Sequence, residues 1–152
     1  MQDSPIQFPS DPYNIVLEGS LYQGDYRSPR LIRSGIHIAC AEEHLPDTRR
    51  ARRTIFLPLD DDPNVNWSKR RQWLSRVIYV AQLAAQGILD GGLVLTTCHM
   101  GLNRSGLLSA LTLVELGFGS NDAIEMIRDA RGPNALCNPQ FVDVVRKVGQ
   151  EQ

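Results

Sequence analysis

LVLTTCHMGLNRSGLL, residues 93–108, decides how this chain is read. An apolar run reaches a cysteine at position 98, passes through a turn containing Gly101, and arrives at Arg104, Ser105 and Gly106. GGLVLTT (91–97) is apolar and bounded by a glycine pair, the pattern of a strand covered on both faces. A helix is predicted from Arg104 to Leu116, stopped by Gly117. Cys98 therefore stands at the carboxyl end of a strand and Arg104 at the start of a helix, the place where open α/β sheets bind ligands. Backbone N–H groups in such a turn make a cradle for an anion. Gly101 allows backbone geometry that a side chain would block, and Gly106 allows close helix packing. Arg104 can fold over the cradle and grip two anion oxygens together, which lysine does less well. The same positive field favours the thiolate of Cys98, and a thiolate beneath a bound phosphoryl group is placed for in-line attack. The hydroxyl of Ser105 can hydrogen-bond that sulfur and ease its departure when a covalent intermediate breaks down.

Outward from this stretch the chain alternates strand and helix. NIVLEGSLYQGD holds two short apolar runs around Gly19 and Ser20, a predicted hairpin. SPRLIRSG reads as a helical turn with Ser28 as cap, Pro29 in the first position and Gly35 as stop. Strands are predicted at 36–40 and 54–59, with the polar AEEHLPDTRRARR between them as half helix, half loop. Trp67 to Gln86 has helical spacing of its apolar residues, with Asn66 as cap and Gly87 as stop. Further helices are expected from Ser120 to about Ala130 and from Pro139 to about Val148. These elements make a single α/β domain: a central, mostly parallel sheet of about four to five strands, flanked by helices, with the Cys98–Arg104 loop between a central strand and a helix. The first twelve residues, with Pro5, Pro9 and Pro12, read as a flexible arm, and residues 13–152 as the domain.

Composition narrows the function. A chain of 152 residues buries a core without disulfides or metals. A formal net charge of -1 draws it to neither nucleic acid nor membrane. The apolar runs are too short to span a bilayer, and MQDSPIQFPS lacks the basic start and apolar core of a signal peptide. Cys40, Cys98 and Cys137 form neither a disulfide framework nor a zinc pattern, so a reducing, cytoplasmic setting is expected. Cys40 and Cys137 read as small buried residues, and Trp67 and Trp73 as helix packing. His37 and His44 have no metal-binding spacing. No metal or cofactor is expected.

CHMGLNRSG resembles the phosphate-binding loop of the cysteine-dependent protein tyrosine phosphatases, which runs Cys, five residues, Arg, then Ser or Thr. Gly three residues after the cysteine and the closing RSG are most similar to the dual-specificity branch. The resemblance implies a metal-free mechanism through a cysteinyl-phosphate. Cys98 would be the nucleophile, with Arg104 and the loop residues His99, Met100, Gly101, Leu102 and Asn103 holding the phosphoryl oxygens. In that family a strand of the form apolar, Pro, apolar, any, Asp carries the general acid. Leu57, Pro58, Leu59 and Asp60 put that role on Asp61, with Asp60 and Asp62 as alternatives. A solvated acidic turn is the plain reading of any one of the three. The resemblance spans about residues 13–148, and AIEMIRDARGPNALCNPQF is similar to the stretch after the family's catalytic helix. Thr97 departs from it, because the family carries His before the cysteine.

The expected substrate is a phosphorylated protein or another phosphate monoester: phosphotyrosine first, with phosphoserine and phosphothreonine in range. The loop holds no lysine, so no preference for polyanionic lipids is evident. Two alternatives stand beside this. GLNRSG is also similar to the loop of RNA 5'-triphosphatases, for which Arg49, Arg50, Arg52 and Arg53 would form the groove, although such a run reads equally as a solvated face. A phospho-residue binding module would keep the cradle without turnover.

Overall fold

The computed structural model describes residues 9–42 and 47–151. Five strands form one sheet in the order β1-β2-β5-β3-β4. β1 (Tyr13–Leu17) and β2 (Leu21–Gly24) are the expected antiparallel hairpin, turning at Gly19. β3 (Ser34–Ala39), β4 (Ala51–Phe56) and β5 (Val94–Thr97) are parallel to their neighbours, with β5 between β2 and β3. Every residue of β5 is buried, its two threonines included, as a central strand covered on both faces requires.

Four helices flank the sheet: α1 (Arg71–Leu89), α2 (Arg104–Glu115), α3 (Ser120–Arg131) and α4 (Pro139–Gln150). α2 is buried from Arg104 to Val114 among α1, α3 and α4. Its serines and threonine survive burial by bonding: Thr96 and Ser109 hydroxyls lie 2.6 Å apart, and Thr112 donates to the Leu108 carbonyl at 2.7 Å. α4 opens on Asn138, whose side chain accepts from the Gln140 N–H at 2.9 Å, with Pro139 in the first turn.

Some boundaries differ from the sequence expectation. Gly35 does not stop the helical turn but lies within β3, because the 3₁₀ turn closes at Ser28–Arg30. Ala51, Arg52 and Arg53 belong to β4 rather than to a polar helix or loop, since pairing with β3 overrides their weak strand propensity. β4 ends at Phe56, two residues short of Pro58. Asn66 makes no side-chain cap; Trp67–Lys69 form a separate 3₁₀ turn, and α1 runs through Gly87 to Leu89. Of the expected arm, residues 9–12 touch the domain: the Pro12 carbonyl accepts from the Asp25 N–H at 2.8 Å and the Asp11 carbonyl from Arg131 at 2.6 Å. Its first eight residues, and His44 in the 43–46 segment, lie outside the described residues. No helix among the described residues is long and apolar enough to cross a membrane.

Candidate active site

The carboxyl end of β5 is clamped from both sides. The Cys98 N–H donates to the Gly24 carbonyl at 3.3 Å, and the Cys40 N–H donates to the Thr97 carbonyl at 2.8 Å. From there the chain turns through residues 98–103 into α2. Gly101 has φ +71°, and a Cβ at that position would lie 2.5 Å from the Gly24 carbonyl carbon. Only glycine fits both the conformation and the space.

Three successive carbonyls of the turn are bound from behind. Met100 O accepts from the Arg131 guanidinium at 3.0 Å. Gly101 O accepts from Gln23 Nε2 at 2.9 Å and from Arg131 Nε at 3.2 Å. Leu102 O accepts from the Leu136 N–H at 3.2 Å. No peptide bond in the described chain is cis, so each following N–H, of Gly101, Leu102 and Asn103, points the opposite way. The turn borders a cavity of about 380 Å³ lined by Asp61, Cys98, His99, Met100, Leu102, Asn103 and Arg104. The buried Arg104 and Cys98 thus share one cavity at the start of α2.

Cys98 is 3 % exposed, and its Sγ lies 3.2 Å from Ser105 Oγ. Cys40, on the neighbouring strand end, is wholly buried, and burial pushes its thiol well above the ordinary cysteine range. Cys137 corrects the sequence reading: it is exposed, and its sulfur accepts from Asn103 Nδ2 at 3.3 Å.

The three aspartates separate cleanly. Asp60 Oδ1 accepts from the Asp62 N–H, and Asp62 Oδ1 from the Asn64 N–H, both at 2.9 Å. Both carboxylates shape their own turn. Asp61 alone lines the cavity. Its carbonyl accepts from Asn138 Nδ2 at 2.7 Å, while Asn103 Oδ1 accepts from the Asn138 N–H at 3.0 Å. Asn138 therefore ties the aspartate loop to the 98–104 turn.

The same architecture occurs in proteins of known structure. Human DUSP28 superposes with a TM-score of 0.78 at 19% identity, covering 98% of each chain. The human tyrosine phosphatase-like serine/threonine/tyrosine-interacting protein matches at 0.72 and 20% identity, over 91% of this chain and 96% of its own. PTPMT1, solved in complex with PI(5)P, matches at 0.72 and 19%, over 93% and 96%. The chain has the fold of the dual specificity and tyrosine phosphatases. In sequence alone, no family model and no curated protein matches it.

In this phosphatase fold, four supporting residues had been given no role from the sequence: Gln23, His37, Arg131 and Asn138. His37 lies on β3 and places Nε2 2.7 Å from Thr97 Oγ1, directly before Cys98. The imidazole absent from position 97 approaches from the adjacent strand instead. Burial lowers its pKa to about 4, against a small opposing pull from Asp47, so the ring is neutral. Arg131 is 4 % exposed and is held by Asp25, itself fully buried, at 3.5 Å. Arg128 donates to the Ala135 and Leu136 carbonyls at 3.1 and 3.0 Å. The Arg-x-x-Arg spacing in RDAR (128–131) was the available signal for the two arginines; for Gln23 and His37 there was none.

Proposed function

We propose that this protein is a phosphatase that hydrolyses phosphate monoesters, phosphotyrosine in proteins foremost and phosphoserine or phosphothreonine within its range, through a cysteinyl-phosphate. One observation carries the reading: Cys98, Arg104, Asp61 and the turn residues His99, Met100, Leu102 and Asn103 line one cavity at the end of β5.

The Cys98 thiolate attacks phosphorus, forming the S–P bond as the P–O bond to the leaving group breaks. Asp61, as the acid, gives its proton to the departing oxygen. The guanidinium of Arg104 and the loop amides, including those of His99 and Met100, take the charge on the equatorial oxygens. Asp61, now a carboxylate, removes a proton from water, whose oxygen attacks phosphorus. The S–P bond breaks, Ser105 donates to the returning thiolate at the 3.2 Å separation already present, and inorganic phosphate leaves. The scheme uses no metal and no cofactor.

An RNA 5'-triphosphatase role finds less support. Arg52 and Arg53 border a separate cavity with Gly35, Leu93 and Val94, at the amino ends of β3 and β5 and away from Cys98. Arg49 is paired with Asp47 at 2.6 Å.

Cys98→Ser should abolish turnover of p-nitrophenyl phosphate and retain vanadate binding, and the wild type should turn over in EDTA. Acid quenching during turnover should trap phosphate on Cys98. Retained activity in the serine variant would refute the nucleophile; absence of any covalent species would leave a binding module. Rates on phosphotyrosine, phosphoserine, inositol phosphate and triphosphate-ended RNA would rank the substrates.

A further inference from the structure

The molecule has a larger concavity than the one at Cys98. It measures about 470 Å³ and is lined by Arg70, Arg71, Gln72, Trp73 and Arg76 at the beginning of α1. Arg27 and Arg131 pair with Asp25, Arg49 pairs with Asp47, and Arg128 donates to two carbonyls. Among the described residues no ion pair engages Arg70, Arg71 or Arg76, and no acidic residue stands in the first turn of α1. Only Arg70 has an assigned contact, its guanidinium lying 5.3 Å over the Trp67 ring. Three exposed guanidiniums facing one hollow, with no carboxylate among its lining residues, form a positively charged surface that attracts anions.

This hollow is linked to the aspartate loop through Trp67. Trp67 Nε1 donates to the Asp62 carbonyl at 3.1 Å, one residue from Asp61. The same indole stacks on Trp73, with ring centroids 5.0 Å apart, and carries Arg70 above it. A single indole thus separates the aspartate loop from the arginines. We propose that Arg70, Arg71 and Arg76 form a second anion site that receives an acidic or phosphorylated side chain a few residues from the phosphate held at Cys98 on the same protein substrate.

The proposal rests on the phosphatase reading and narrows its substrate class. Asp61 lines the cavity at Cys98, and the Asp62 carbonyl meets the Trp67 indole that stacks on Trp73 of the arginine hollow. The charge of these two aspartates repels a continuous polyanion such as RNA, whereas an extended peptide presents separate anions on a neutral backbone, at roughly 3.3 Å per residue.

The test uses Arg71→Gln/Arg76→Gln, which leaves Arg70 stacked on Trp67. Phosphotyrosine peptides would carry neutral residues, glutamates or a second phosphate at roughly two to five residues from the target. The wild type should prefer both anionic peptides, and the comparison of the two distinguishes carboxylate from phosphate as the favoured anion. The variant should lose roughly ten-fold in kcat/KM on them, mainly through KM. It should keep its rate on the neutral peptide and on p-nitrophenyl phosphate. Arg71→Glu/Arg76→Glu should shift preference to lysine-flanked peptides. Equal rates for all flanks in the wild type, or an equal loss on the neutral peptide, would overturn the proposal. So would a greater loss of RNA binding than of peptide binding. If no turnover occurs, anisotropy of the same labelled peptides reads the site directly: flank-dependent affinity lost in the variant upholds it even though the catalytic reading fails.

Discussion

Asp60, Asp61 and Asp62 are identical in chemistry and consecutive in sequence, yet only one faces the cavity. Asp61→Asn should slow hydrolysis of aryl phosphates with poor leaving groups by about 100-fold or more, and of good ones much less. A leaving-group series measures this, and a uniform loss would move the acid elsewhere. Asp60→Asn should leave the series unchanged, since that carboxylate bonds only its own turn. Gly101 is the other residue with no substitute. Gly101→Ala would force φ +71° on an alanine and press its Cβ against the Gly24 carbonyl. A stability loss of about 2 kcal/mol or more is expected in urea unfolding, together with weakened vanadate binding. Unchanged binding would show that the loop tolerates the shift.

Two helices that contribute no nucleophile or acid set the shape of the site. α3 ends on Arg131, which bonds Met100, Gly101, Asp11, Asn14 and Asp25. α4 begins on Asn138, which bonds Asn103 and Asp61. Arg131→Met keeps the bulk but leaves buried carbonyls without donors and Asp25 with Arg27 alone. A loss of about 3 kcal/mol is expected, with a fall in kcat that Arg131→Lys does not restore, because one ammonium cannot span five acceptors. Chemical denaturation and steady-state rates on both variants check it. Asn138→Ala should detach the aspartate loop, lowering turnover of poor leaving groups more than vanadate affinity, with about 1 kcal/mol lost from the helix cap.

Across the whole molecule, stability should depend on pH through His37. In the unfolded chain its imidazole takes a proton below about pH 6.5; in the fold, burial delays this to about 4. The unfolded state then binds more protons between those values, so stability is complete above about pH 6.5 and falls as the pH drops toward 4, by roughly 3 kcal/mol in all. His37→Gln should flatten that slope relative to wild type in unfolding curves at pH 4.5, 5.5 and 7; parallel slopes would contradict it. His37 also marks the limit of what the chain alone discloses. Strand β5, the turn after it and α2 were legible because hydrophobic period, glycine placement and helix capping are local, and the Cys-x5-Arg spacing lies within one such unit. The aspartate loop was legible as a group of three, and its choice among them was not. Gln23, His37, Arg131 and Asn138 reach the site from positions 33 to 75 residues distant from Cys98. Which side chains meet across a sheet, or fold back from a later helix onto a turn's carbonyls, depends on strand order and helix packing. No local pattern encodes either, so the chain by itself determined the candidate nucleophile and its arginine, and tertiary structure alone decided which aspartate joins them and what holds them in place.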